Sequence, residues 1–119
     1  MSNIFVIKKR INNFNNRIIK VSGDKSLSIR WVLLASLAQG KSKSSNLLIS
    51  EDVKAALNAI QKLGIKTKLK KNVCEIYGKG LDGYRYKNNI VINAKNSGTL
   101  GRLILGFLVN TNKKIKIIG

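Results

Sequence analysis

Two short segments of this sequence place cations and hydroxyls where a helix begins. The first is Gly23-Asp24-Lys25-Ser26, with Arg30 one turn later; the second is Asn96-Ser97-Gly98-Thr99, with Arg102 one turn later. A helix start carries unpaired backbone N–H groups and the positive end of the helix dipole. A cation in the first turn opposes that dipole and costs roughly 0.3–1 kcal/mol. A bound anion changes the sign, because N–H groups, hydroxyls and a nearby cation all favour it. Ser26 and Arg30 are four residues apart and share a helix face. Gly98 has no side chain, so a ligand can approach the backbone closely. Plain capping accounts for the same residues: Gly with Ser or Asn is common before a helix, and Lys25 can point into water. Two such starts in one acid-poor chain keep anion binding open beside capping.

Other chemistries find less support. Lys25-Ser26 matches the end of a P-loop, but Asp24 stands where that motif has Gly and the earlier Gly is missing. Gly78, Gly80 and Gly83 spell G-x-G-x-x-G, yet no helical pattern follows, so a turn is expected rather than a dinucleotide site. Cys74 is the lone cysteine and the chain has no His, which excludes a disulfide framework and an ordinary zinc site. In an apolar strand, Cys74 reads as a buried, inert thiol. Trp31 lies on an apolar helical stripe and reads as packing rather than stacking on a base.

The elements that must position these residues follow from periodicity. Residues 4–7 and 17–21 are apolar runs that read as strands. Residues 25–39 read as a helix, with Leu27, Trp31, Leu34 and Ala38 as its stripe and Gly40 as its stop. Residues 47–49 end a short strand. Ser50 caps a second helix over 51–63, with Glu51 and Asp52 at its positive end. Its stripe is Val53, Ala56, Leu57, Ile60 and Leu63, and Gly64 stops it. Strands over 65–70 and 73–77 form a hairpin around Lys71-Asn72. Gly78-Lys79-Gly80 and Asp82-Gly83 mark loops. A strand over 90–94, a third helix over 97–110 and a strand over 115–118 close the chain. Leu100, Leu103, Ile104, Phe107 and Leu108 are the apolar positions of that helix. The order from residue 17 is β-α-β-α-β-β-β-α-β, an α/β or α+β arrangement with helices packed on sheet.

The chain has 119 residues and a net charge of +18, from 18 Lys and 5 Arg against 5 acids. Such a charge invites a nucleic-acid reading. However, Lys, Asn and Ile make up 48 of the 119 residues, and all three have A- and T-rich codons. Composition can therefore supply the charge without a partner. The densest basic cluster, Lys66, Lys68, Lys70 and Lys71, alternates along a strand and lines one solvated face. RNP-type aromatics, zinc-finger spacing and a basic zipper region are missing, which disfavours nucleic acid as a partner. With 44% apolar residues the chain can build a core. The length suits one domain or a piece of a larger one. No apolar run reaches the ~18 residues of a membrane span, and no leader pattern opens the chain. A soluble, cytoplasmic protein without a membrane partner is expected.

A family resemblance rests on three ordered motifs. The segment Ser22-Gly23-Asp24-Lys25-Ser26-Leu27-Ser28-Ile29-Arg30 and its continuation to Gly40 resemble the N-terminal signature of the 5-enolpyruvylshikimate-3-phosphate synthase family, approximately P-G-D-K-S-x-S-x-R. Asn46-Leu47-Leu48 and Ser50-Glu51-Asp52-Val53 are similar to its N-x-L-x-S-x-D region. Residues 96–103 are similar to its N-[AS]-G-T-x-x-R block. The resemblance spans residues 17–119 and covers only the front of such an enzyme.

It implies an incomplete enolpyruvyl transferase fold built from β-α-β-α-β-β units, with the active site between two domains. Residues 1–20 would be strands of the second, mostly absent domain, and residues 21–119 the first part of the substrate-binding N-terminal domain. The implied reaction moves the enolpyruvyl group of phosphoenolpyruvate to the 5-hydroxyl of shikimate 3-phosphate and releases phosphate. It needs no metal, no cofactor and no covalent enzyme intermediate. The implied partners are those two anionic small molecules, and the full-length enzyme would be a monomer.

By the same resemblance Lys25 is catalytic and contacts both substrates. Ser26 and Arg30 hold shikimate 3-phosphate with it, and Gly98 lies against phosphoenolpyruvate. Asn96, Thr99 and Arg102 shape that loop. The carboxylates that the family uses for proton transfer have no counterpart in this chain. Ser22 replaces the usual Pro, Ile29 stands where a polar residue is common, and Gly101 is a poor helix former inside the third motif. The related enolpyruvyl transferase of cell-wall synthesis ranks second, since it has Lys-Asn in place of Lys25-Ser26 and lacks the matching Arg. A small basic nucleic-acid-binding domain and a stand-alone module for phosphorylated metabolites are the non-enzyme alternatives.

Overall fold

The computed structural model describes Val6, Lys8 and residues 22–119. The strand expected over 17–21, and all of that over 4–7 except Val6, lie outside the described residues. Asp24 starts the first helix, its carboxylate accepting a hydrogen bond from the Leu27 N–H at 2.7 Å. Helix α1 then runs Lys25–Leu37. Its expected stripe is wrong. Leu27 and Leu34 are 65% and 60% exposed, whereas Ile29, Val32 and Leu33 are fully buried. The helix is apolar on nearly every side, so spacing alone selects no face; packing on the second helix and the sheet selects it. Ser36 is buried with these residues, and its hydroxyl meets the Leu33 carbonyl at 2.6 Å and the Tyr84 hydroxyl at 2.7 Å. Trp31 is partly buried against the core, the packing role expected of it.

The next element differs from expectation. Strand β1 covers Gln39–Ser44, a run with no large apolar side chain. Residues 47–49 carry no strand; the Leu47 N–H donates to the Asn72 carbonyl at 3.0 Å. Gly40 does not stop α1. Ala38 caps it, and Gly40 lies within β1 at φ +99°. Pairing, rather than propensity, makes a strand of this polar run.

Helix α2 spans Glu51–Lys62, and Ser50 Oγ accepts from the Val53 N–H at 3.3 Å. Val53, Ala56, Leu57, Ile60 and Leu63 are all buried, as their periodicity requires. Strands β2 (Lys66–Lys70) and β3 (Val73–Lys79) form the expected hairpin, with Lys71 left-handed at φ 54°. Strand β3 runs further than expected, so Gly78 and Lys79 belong to it rather than to a loop. The sheet order is β1-β3-β2, antiparallel throughout.

Strand β4 (Ile90–Asn93), helix α3 (Gly98–Phe107) and strand β5 (Ile115–Ile118) follow. Strands β4 and β5 pair in parallel, and α3 makes the crossover such a pair needs. The helix ends earlier than the expected residue 110. Its Leu100 and Ile104 meet Ile92, Ile60 and Leu33 in one core, which anchors all three helices. Among the described residues no helix is long and apolar enough to cross a membrane.

Cys74 sits fully buried on the inner side of β3. Burial, and secondarily the charge of Glu75, pushes its thiol above the ordinary value. The thiolate is the reactive form. Iodoacetamide is therefore expected to label Cys74 slowly in the folded chain and rapidly in urea. Equal rates would mean that β3 opens freely.

Candidate functional site

The starts of the three helices are tied together by charge. Lys25, the first residue of α1, places its Nζ 3.1 Å from the Asp52 carboxylate in the first turn of α2. The neighbouring Glu51 reaches the other way, its Oε2 lying 3.1 Å from Lys95 Nζ. Its Oε1 meets Lys54 at the same distance. Lys54, and then Lys95, hold the Glu51 carboxyl below the usual carboxylate range. Lys95 opens the turn into α3, where Ser97 Oγ caps the helix through the Leu100 N–H at 3.1 Å. The acids of α2 thus draw a cationic helix start to either side.

Sterics fix the approach to α1. A side-chain carbon on Gly23 would fall 2.6 Å from the Asn46 carbonyl oxygen and 2.8 Å from the Leu48 nitrogen. The Leu48 N–H in turn donates to Ser28 Oγ at 3.2 Å. The glycine before Lys25 is therefore a packing requirement, and the Asn46-Leu47-Leu48 segment is what it packs on. Ser26 is half-buried and Arg30 exposed one turn further along.

At the start of α3 the guanidinium of Arg102 folds back over Gly98. A side-chain carbon on Gly98 would stand 3.1 Å from Arg102 Nη1 and 3.3 Å from Nη2. A cleft of about 460 Å³ opens there, with Asn96, Gly98, Arg102 and Ile118 in its wall. Lys25, Ser26 and Arg30 do not line it. They stand on the start of α1, and the Lys25–Asp52 and Glu51–Lys95 pairs link that start to the turn into α3. Two sets of expected site residues are thus at one end of the fold, but not in one cavity.

Asp52 was legible as a complement to the α2 dipole, not as the anchor of Lys25. Lys95 carries no motif that marks it in the sequence. Pairing between residues so far apart in sequence leaves no local signal, although Ser50-Glu51-Asp52 belongs to the motif region.

The described residues form a mixed α+β unit that brings the cationic starts of α1 and α3 to one end, on either side of the acidic start of α2. The chain belongs to the EPSP synthase (3-phosphoshikimate 1-carboxyvinyltransferase) family, whose model matches residues 9–119. A 3-phosphoshikimate 1-carboxyvinyltransferase of Bacillus cytotoxicus is 41% identical over 104 residues, which is 87% of this chain and 24% of the relative. One from Buchnera aphidicola is 43% identical over 103 residues, 85% of this chain and 23% of the relative. The solved EPSP synthase of Acinetobacter baumannii superposes with a TM-score of 0.73 at 28% identity, covering 83% of this chain and 23% of that one. The chain spans about a quarter of the length of the curated relatives it matches.

Proposed function

We propose that this chain is the substrate-binding front of a 3-phosphoshikimate 1-carboxyvinyltransferase. The complete enzyme would transfer the enolpyruvyl group of phosphoenolpyruvate to the 5-hydroxyl of shikimate 3-phosphate and release phosphate. The observation that carries the reading is the family match over residues 9–119, and the cationic starts of α1 and α3 stand at one end of the unit in keeping with it. Residues 21–119 would form the first part of the N-terminal domain, and residues 1–20 would belong to the second. The enzyme would work as a cytoplasmic monomer.

In this reading the start of α1 supplies free N–H groups, the Lys25 ammonium, and Ser26 and Arg30 on one face for shikimate 3-phosphate. The bare backbone at Gly98 and the Arg102 guanidinium admit phosphoenolpyruvate beside it, with Asn96 and Thr99 shaping the turn. Fixed cations and N–H groups hold the two anions together and stabilise charge as it develops. The test is reconstruction. Joined to the missing three quarters of a relative, the chain should release phosphate from phosphoenolpyruvate only when shikimate 3-phosphate is present. The 119-residue chain alone should release none, because it carries one wall of the cleft. Release by the chain alone, or release indifferent to the acceptor, would overturn the reading.

A second expectation concerns Gly98. A methyl group there must displace the Arg102 guanidinium by a few tenths of an ångström, or bend the turn. In the reconstructed enzyme Gly98→Ala should raise KM for phosphoenolpyruvate about tenfold, or about 1.4 kcal/mol. KM for shikimate 3-phosphate should hold. Gly106→Ala, which meets open space on the same helix, is the control. An unchanged KM in Gly98→Ala would remove Gly98 from the site.

A further inference from the structure

The unexpected strand β1 changes what the lysines can do. In an antiparallel sheet, residues directly opposite each other project to the same side. Lys41 and Lys66 both stand opposite Tyr77, Lys43 and Lys68 opposite Glu75, and Lys70 opposite Val73. Cys74 and Ile76 take the inner side of β3 and are fully buried, so this lysine side is the outer one. Five lysines therefore stand in two rows on one open face. Within a row they are about 6.8 Å apart, and the rows are separated by about 9.6 Å.

The face is organised, not only charged. Tyr77 donates its hydroxyl to Glu75 Oε2 at 3.0 Å, and Lys41 pairs with Glu75 at 3.6 Å. Lys66 and Lys68 place their Nζ atoms 5.5 and 5.8 Å from the centre of the Tyr77 ring. At the hairpin end a concavity of about 460 Å³ has Val73 and Glu75 in its wall, with Lys43, Lys68 and Lys70 beside them.

We propose that this outer sheet face binds single-stranded nucleic acid without sequence preference, separately from the substrate site. An extended strand carries a phosphate on every unit at about the interval of the lysine row. Lysine suits such contacts as a point charge. The concavity beside Val73 is wide enough for a base between the lysines. The pair of rows is narrower than a duplex. A lysine face without arginine forks reads phosphate rather than base edges.

The test is fluorescence anisotropy of a labelled oligo-uridylate with the 119-residue chain across a salt series. Five contacts predict a slope of log Kobs against log salt of about −3.5, at about 0.7 per contact. The triple variant Lys41→Gln, Lys66→Gln, Lys68→Gln should lower affinity at least about tenfold and flatten the slope by about 2. The same three positions changed to Arg should retain binding, which separates lost charge from lost fold. Lys87→Gln, Lys114→Gln, Lys116→Gln removes equal charge from elsewhere and should leave the slope near its original value. Lys25→Ala should also leave binding unchanged, so failure of the substrate-site reading would not touch this one. Equal losses from both Gln triples would reduce the effect to net charge and overturn the proposal. So would equal or tighter binding of duplex DNA, poly-glutamate or phosphatidylserine vesicles, or no binding at all.

Discussion

Lys25→Ala in the reconstructed enzyme is expected to lower kcat by about 10²–10³-fold, the usual scale for one pre-placed charge-stabilising group. The folded state should barely notice. The side chain of Lys25 is 54% exposed, and an ion pair at such a site contributes roughly 0–1 kcal/mol. Against that, the cation opposes the α1 dipole at a cost of roughly 0.3–1 kcal/mol. The two effects nearly cancel, so thermal unfolding of the 119-residue chain should be almost unmoved. Steady-state kinetics beside a melting curve give the answer. A near-normal kcat would remove Lys25 from the chemistry. A large fall in Tm would make Lys25 a structural residue whose pairing with Asp52 holds α1 on α2. Asp52→Asn tells positioning from chemistry: it keeps the ammonium but frees it, and should cost less than Lys25→Ala.

How far the sequence discloses the structure depends on how local each cause is. Helix α2 is legible because its apolar residues fall on one face and Ser50, Glu51 and Asp52 mark its start. Helix α1 is legible in extent and not in orientation. Its apolar residues are spread around the axis, so burial of Ile29, Val32 and Leu33 rather than Leu27 and Leu34 is settled by what α2 and β3 present to it. Strand β1 has no apolar alternation to betray it and exists through its ladder to β3. For the site, Lys25, Ser26, Arg30, Gly98 and Arg102 stand out by type and spacing alone. Their connection does not, because Lys25–Asp52 and Glu51–Lys95 join distant segments. The fold of Arg102 over Gly98 is likewise a matter of rotamer, which no motif records.

Gly78→Ala is expected to cost about 3 kcal/mol or more, since overpacking against unyielding atoms sits at the upper end of its range. That should lower the Tm of the chain by roughly 10 °C or more. The glycine looked like half of a loop signal. It lies instead within β3, opposite Gly40 and directly under the end of α1. A side-chain carbon on it would overlap the carbonyl oxygens of Ala35 and Ala38. Both are backbone atoms, and the Ala38 carbonyl is held further by the Gly80 N–H at 3.2 Å. No rotamer change can make room, so α1 must lift from the sheet, taking Ile29, Val32 and Leu33 partly out of the core. Gly80→Ala supplies the contrast. Its φ of +84° makes a side chain strained, at about 1–2 kcal/mol, but nothing lies within 4 Å to collide with it. Melting curves of the two variants separate a conformational need for glycine from a spatial one. If Gly78→Ala melts no earlier than Gly80→Ala, α1 has room to ride higher on the sheet, and the close backbone approach is not what fixes the helix whose start carries Lys25.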